Sequence, residues 1–269
     1  IQNQISGQES LCPRVHQCLM NLRHPIQMLG PFRSGLTCIT SLPLETLSQN
    51  EVFFYFTRAA VGAGAPFGLA EDFARCACWL SCSGFDPALV CLPALQSLDS
   101  GRSSLKGYMI QNDREMQVRS SSALELSVIQ VGSFAGDWLF DQKDPEKNLV
   151  LESVDSPFLV AAAAGVSGST KCSITWKSES CLMNVETDGS WDLFWNGEEF
   201  PELTGCSKVK VSKNLTDYSV SNFNHHRQYD FEQAKLHILE SGTTVGDSWP
   251  AVQNFFRRCL VPSNGESRR

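Results

Sequence analysis

Gly62-Ala63-Gly64-Ala65-Pro66-Phe67-Gly68 is the stretch of this sequence whose residue types and spacing come nearest to a ligand cradle. Glycine-rich runs hold phosphate when their free amides open a helix directly after a strand. The dinucleotide fingerprint is G-x-G-x-x-G, and here the third glycine falls one place late, after a segment that reads as helix. A phosphate-loop lysine does not follow. The run is therefore read first as a turn between two helices, with anion contact at the start of the second helix as its chemical alternative. The candidate ligand contacts on that reading are Arg58, Gly62, Gly64, Gly68 and Glu71, joined by Arg268 near the chain end.

Cys76, Cys78 and Cys82 lie close together, and Cys78 and Cys82 share a helix face at i, i+4. A structural metal site needs further ligands at set spacing, such as paired CxxC, and none is present, so no metal is expected and each is read as a small buried hydrophobe. His225 and His226 are adjacent, and neighbours in a strand point to opposite faces, which argues against joint ligation. Glu51 has a capping role and Glu71 a place in a helix's first turn. Neither a G-x-S-x-G elbow nor an H-E-x-x-H helix occurs. Catalytic residues and cofactor are left unassigned.

These residues need elements to hold them. Ser48-Gln49-Asn50-Glu51 is a capping box opening a helix whose stripe is Val52, Phe53, Phe56, Ala59 and Ala60. The small-residue break stops it, and a second helix from Phe67 or Gly68 carries Leu69, Phe73, Ala77 and Leu80, with Gly84 as its stop. "GFDPALVCLPALQSLDSG" suggests another helical turn or two. From about residue 121 the period changes: "ALELSVIQV", "KNLVLESV", "CSITWKS", "WDLFW" and "KVKVS" read as strands, with Asp188-Gly189 and Asn196-Gly197 as tight turns. "PFLVAAAAGV" is a core strand or a short core helix. Helical spacing returns in "YDFEQAKLHILESG" and in "DSWPAVQNFFRRCLVP", with Asp247 or Ser248 as N-cap and Pro250 in the first turn. The expected fold class is α+β: an N-terminal helical hairpin and C-terminal helices packed on a mostly antiparallel β-meander. Residues 1–45 form an irregular extension, and 46–269 one domain, helical over 46–105, β-rich over 120–220 and helical over 228–262.

The balance of 22 basic against 29 acidic residues, a net charge of -7, disfavours nucleic acid, which is held through Lys and Arg. The longest apolar run is about half the roughly 20 residues of a spanning helix, so no membrane partner is expected. An odd 11 cysteines without framework spacing read as reduced thiols, which places the chain in the cytoplasm.

The block "LSQNEVFFYFTRAAVGAGAPFGLAEDFARCACWL" through Gly84, with the distal "LVPSNGESRR", resembles a family of uncharacterised proteobacterial proteins known as domain of unknown function 3726. The resemblance rests on Asn50 and Glu51, Gly62 and Gly64, Gly68, Ala70 and Glu71, Val261 and Pro262, and Ser267 and Arg268. It spans about residues 46–269 and implies no reaction. Family members run on past the Ser-Arg into a glycine-alanine stretch, whereas this chain stops at Arg269. The helical start is also distantly analogous to non-Rossmann malate and lactate dehydrogenases, although the Ser-His-Gly segment expected there is missing. Two functions are expected to compete: binding of a small anionic metabolite, with or without catalysis, and a non-catalytic assembly subunit that pairs, as a homo-oligomer or with a partner, through its helical hairpin.

Overall fold

The computed structural model describes residues 45–168, 170–213 and 222–259. After a short strand, β1 (Glu45–Leu47), the chain enters helix α1 (Gln49–Gly62) through the capping box. The Ser48 hydroxyl accepts the Glu51 amide at 3.3 Å and the Glu51 carboxylate accepts the Ser48 amide at 2.8 Å. Such a cap contributes about 1 kcal/mol. Val52, Phe56, Ala59 and Ala60 are buried as the spacing predicts, with Phe53 half-buried. Gly64 turns the chain at φ 101°, a backbone state that suits glycine, and α2 (Phe67–Cys82) runs back against α1. The helical hairpin is therefore present, with a helix and not a strand leading into the glycines.

Helix α3 (Pro87–Asp99) is longer than the turn or two expected. Asp86 accepts the Ala88 amide at 2.8 Å and Pro87 occupies the first position, two start signals that outweigh the internal Pro93. The next elements are β2 (Ser103–Ser104), β3 (Gly107–Gln111), β4 (Glu115–Ser120), β5 (Glu125–Leu126), α4 (Val128–Asp141), β6 (Asn148–Val154) and α5 (Phe158–Ser167). Then follow β7 (Cys172–Trp176), β8 (Cys181–Val185), β9 (Trp191–Trp195), β10 (Ser207–Ser212), β11 (His225–Tyr229), α6 (Phe231–Ser241), β12 (Thr243–Val245) and α7 (Trp249–Arg258). Both late helices begin and end as their signals predict: Gly242 stops α6, and Ser248 is the N-cap of α7.

The large sheet has the order β11-β9-β8-β7-β10-β6-β4-β3, with β5 also on β6 and β2 on β5. Most pairs are antiparallel, including the β7–β8–β9 meander that turns at Gly189. β4 with β6, β5 with β6 and β2 with β5 are parallel. The parallel pairing of β5 with β6 follows from α4, the helical crossover between them. Part of "ALELSVIQV" expected as strand is thus the start of α4, and only Glu125–Leu126 pairs in the sheet. "PFLVAAAAGV" is a core helix: α5 is buried from Phe158 to Gly165. Phe158 seats it between Phe85, ring centroids 4.9 Å apart, and Trp176 at 6.1 Å. No helix among the described residues is long and apolar enough to cross a membrane.

Candidate functional site

The β5–α4–β6–α5 unit carries the polar chemistry of the chain. Its strands pair side by side with β2, so Ser103 on β2 lies near Ser127, Asp155 and Ser156, which follow the carboxyl ends of β5 and β6. In open α/β sheets that end is where ligands collect. Ser127 is the N-cap of α4 yet makes no side-chain cap bond; Asp155 takes over, accepting the Val128 amide at 2.9 Å. Asp155 is 1% exposed. Burial pushes its carboxyl up to about 6, against the Val128 amide, which holds it down. Ser103 steadies the charge from nearby without forming a well-placed hydrogen bond, and Asp155 Oδ2 and the Oγ atoms of Ser103, Ser127 and Ser156 have no partner among the described residues. At the rim, Arg102 Nε stands 3.3 Å from Glu125 and 3.1 Å from the Ser97 hydroxyl.

A groove of about 260 Å³ runs along α4, between α2 and α5. Parallel strands β5 and β6 send α4 and α5 off side by side, and a Cβ on Gly132 or Gly136 would be in ordinary van der Waals contact with Ala163, at 3.5 or 3.6 Å. Phe73, Ile129, Leu159 and Ala163 line the groove with apolar surface. Its polar side is a closed network, in which Asp72 accepts Arg75 Nη1 and the Ser133 hydroxyl, each at 2.7 Å. That network ties α2 to α4. Asp137 and Phe140 stand exposed at the far end. A small apolar cavity with convergent polar groups is the usual form of a ligand site.

The hairpin, whose α2 lines one side of this groove, and its successor helix contain a segment that matches a known family. Residues 47–105 match the family described as "Protein of unknown function (DUF3726)". A comparison with curated proteins finds no match. Among solved structures, malate dehydrogenase from Pyrococcus horikoshii OT3 is similar at TM-score 0.52 and 8% identity, over 86% of this chain and 99% of that one. Malate dehydrogenase from Entamoeba histolytica is similar at 0.53 and 6%, over 81% and 99%. Sulfolactate dehydrogenase from Methanocaldococcus jannaschii follows at 0.50 and 7%, over 80% and 97%. At such identities the likeness is one of fold, and a fold hosts many functions.

The matching segment contains five of the six residues predicted from the sequence as ligand contacts, and none of these five lines the groove. Arg58 lies over the Phe54 ring at 4.6 Å. Gly62 packs against the carbonyl of Phe255 on α7. Gly64 and Gly68 face open space, and Glu71 sits half-buried one residue before Asp72. Arg268 lies outside the described residues. The groove residues that the sequence reading missed had one signal, Gly132-x-x-x-Gly136, which becomes legible only once that stretch is read as helix.

The other candidate chemistries are accounted for by packing. Burial pushes the Cys76 and Cys78 thiols up to about 12 and Cys82 to about 11, which leaves little thiolate to react or ligate. Among the described residues no group of three or more His, Cys, Asp or Glu is arranged to hold a metal ion. His225 stacks on Trp195 at 5.3 Å, while His226 stacks on Phe194 at 4.4 Å and meets Asp192 at 2.9 Å, all on the β9 neighbour.

Proposed function

We propose that this chain binds a small molecule, with or without catalysis, in the groove between α2, α4 and α5. The observation that carries the reading is a cavity of about 260 Å³ in which the apolar wall of Phe73, Ile129, Leu159 and Ala163 faces the polar groups of Asp72, Arg75, Ser133 and Asp137. The solved structures of similar fold are named as malate and sulfolactate dehydrogenases, which act on small molecules, and this adds support to the small-molecule class. The anionic ligand expected from Arg58, Gly62, Gly64, Gly68, Glu71 and Arg268 would belong to the α1–α2 turn, apart from this groove. The eight described cysteines are free, in keeping with a reducing, cytoplasmic setting.

Gly136 lines the groove, and a Cβ added there would meet nothing closer than the Ala163 carbonyl at 3.6 Å, so a larger side chain at this position takes up groove space. In a thermal-shift screen against metabolites, nicotinamide and flavin cofactors, at least one compound is expected to stabilise the wild type, by about 2.7 kcal/mol at a hundred times its Kd. Gly136→Leu, and independently Ser133→Leu, is expected to abolish that shift. A full shift retained in both variants would contradict the groove, and no shift from any compound would favour assembly instead.

The assembly reading has an observation of its own. β3 is the last strand of the sheet, and Tyr108, Met109 and Ile110 on it are 47%, 62% and 39% exposed. The hydrogen bonds of Asn112 to Glu115 and of Ser121 to Lys106 set the alternation of the β3–β4 ladder, which leaves the backbone groups of Gly107, Met109 and Gln111 facing outward. On the helical hairpin, Phe54 and Phe67 are 46% and 64% exposed. Light scattering on a gel-filtration column is expected to report a dimer at micromolar concentration on this reading, and a clean monomer removes its homo-oligomeric form.

A further inference from the structure

The lining of the groove selects the sign of its ligand. Arg75 is committed to Asp72, and the second oxygen of Asp72 accepts Ser133, so these three groups satisfy one another. Asp137 lines the same cavity, and its carboxylate has no ion pair or hydrogen bond among the described residues. One turn further along α4 stands Phe140, also lining the cavity and 76% exposed. Residues at i and i+3 lie over the same helix face, their Cβ atoms roughly 5–6 Å apart. A carboxylate and a ring at that spacing attract one and the same kind of group, an organic ammonium: the carboxylate by charge and the ring face by its quadrupole.

Resting on the groove reading above, we propose that its ligand carries a protonated or quaternary amine, seated between Asp137 and Phe140, on a small apolar body that lies along Leu159 and Val166. The lining carries two carboxylates against one guanidinium, so an anion in this groove would face an uncompensated negative charge, whereas a cation neutralises it. This sign differs from the anion expected at the α1–α2 turn, because that expectation rests on residues outside the groove.

The test uses the full chain and three probes of one shape: benzylamine, benzyl alcohol and benzoate, titrated at constant ionic strength and followed by backbone amide NMR shifts. Benzylamine is expected to bind about tenfold more tightly than benzyl alcohol, as for a charge-assisted contact, and benzoate more weakly than either. Asp137→Asn is expected to erase the advantage of the amine and leave the alcohol unchanged, and Phe140→Leu to weaken the amine about threefold. Both positions are exposed, so neither variant endangers the fold. Equal binding of amine and alcohol at the groove overturns the ligand class and leaves the groove standing. Equal binding of the amine to wild type and Asp137→Asn also overturns it, as general attraction to an acidic protein. Absence of groove shifts with every probe counts against the groove itself.

Discussion

Asp155→Asn is expected to make the folded protein more stable above pH 7 and to leave it no more stable near pH 4. Burial pushes the Asp155 carboxyl up to about 6 in the folded chain, against an ordinary aspartate value of about 3.9. Below about pH 4 both states hold the proton. Between about 4 and 6 the unfolded chain releases it while the folded chain keeps it, so the unfolded state binds fewer protons and stability falls as pH rises. Above about 6 both are ionised and the loss is complete, on the order of 3 kcal/mol at 1.36 kcal/mol per unit. Asparagine keeps an oxygen for the Val128 amide and brings a donor beside the Ser103 hydroxyl, without the buried charge. Urea denaturation of both proteins from pH 4 to 8 measures the difference. A variant clearly less stable than wild type at pH 8 would show that the ionised carboxylate is stabilised by more than the protein groups around it.

Gly62→Ala is expected to destabilise the chain by about 3 kcal/mol, the upper end of the usual overpacking cost. In an isolated helix this change gains roughly 1 kcal/mol, so the sign itself is diagnostic. A Cβ at this position would sit 2.0 Å from the Phe255 carbonyl oxygen and 2.9 Å from its carbon, and both are backbone atoms that no rotamer change moves aside. Helix α7 would have to lift from α1, loosening Trp249 and Phe255, both buried against the hairpin side of the core. Gly68→Ala is the control, since nothing lies within 4 Å of its added methyl, and it is expected to be neutral or mildly stabilising. Equal effects at the two positions in denaturant melts would mean that Gly62 serves the turn and not the packing of α7.

Local signals account for much of this fold. Ser48 through Glu51 announce α1 because the cap is written in adjacent residues, and Pro250 announces α7 in its first turn, although Ser248 makes no side-chain cap bond. Asp188-Gly189 marks the β8–β9 turn because the backbone there needs a positive φ. The start of α4 was hidden by Leu124, Leu126 and Val128, which alternate like a strand, while Val128, Val131, Ala135 and Leu139 continue at helical spacing and are all buried. The insertion of β10 between β7 and β6, and the parallel partners of β6, are pairings between distant segments with no local mark. The groove was illegible for both reasons at once: one wall is the misread α4, and Asp72 meets Ser133 only across 61 residues of chain.

The reading that a ligand lies between α2, α4 and α5 is tested most directly by mapping backbone amide shifts with the compound that stabilises the protein most. The expected result is perturbation of Gly132, Ser133, Gly136, Asp137 and Val166, with His225–Tyr229 unmoved. Perturbations confined to Gly62–Gly68 at the hairpin turn, with α4 silent, would contradict it.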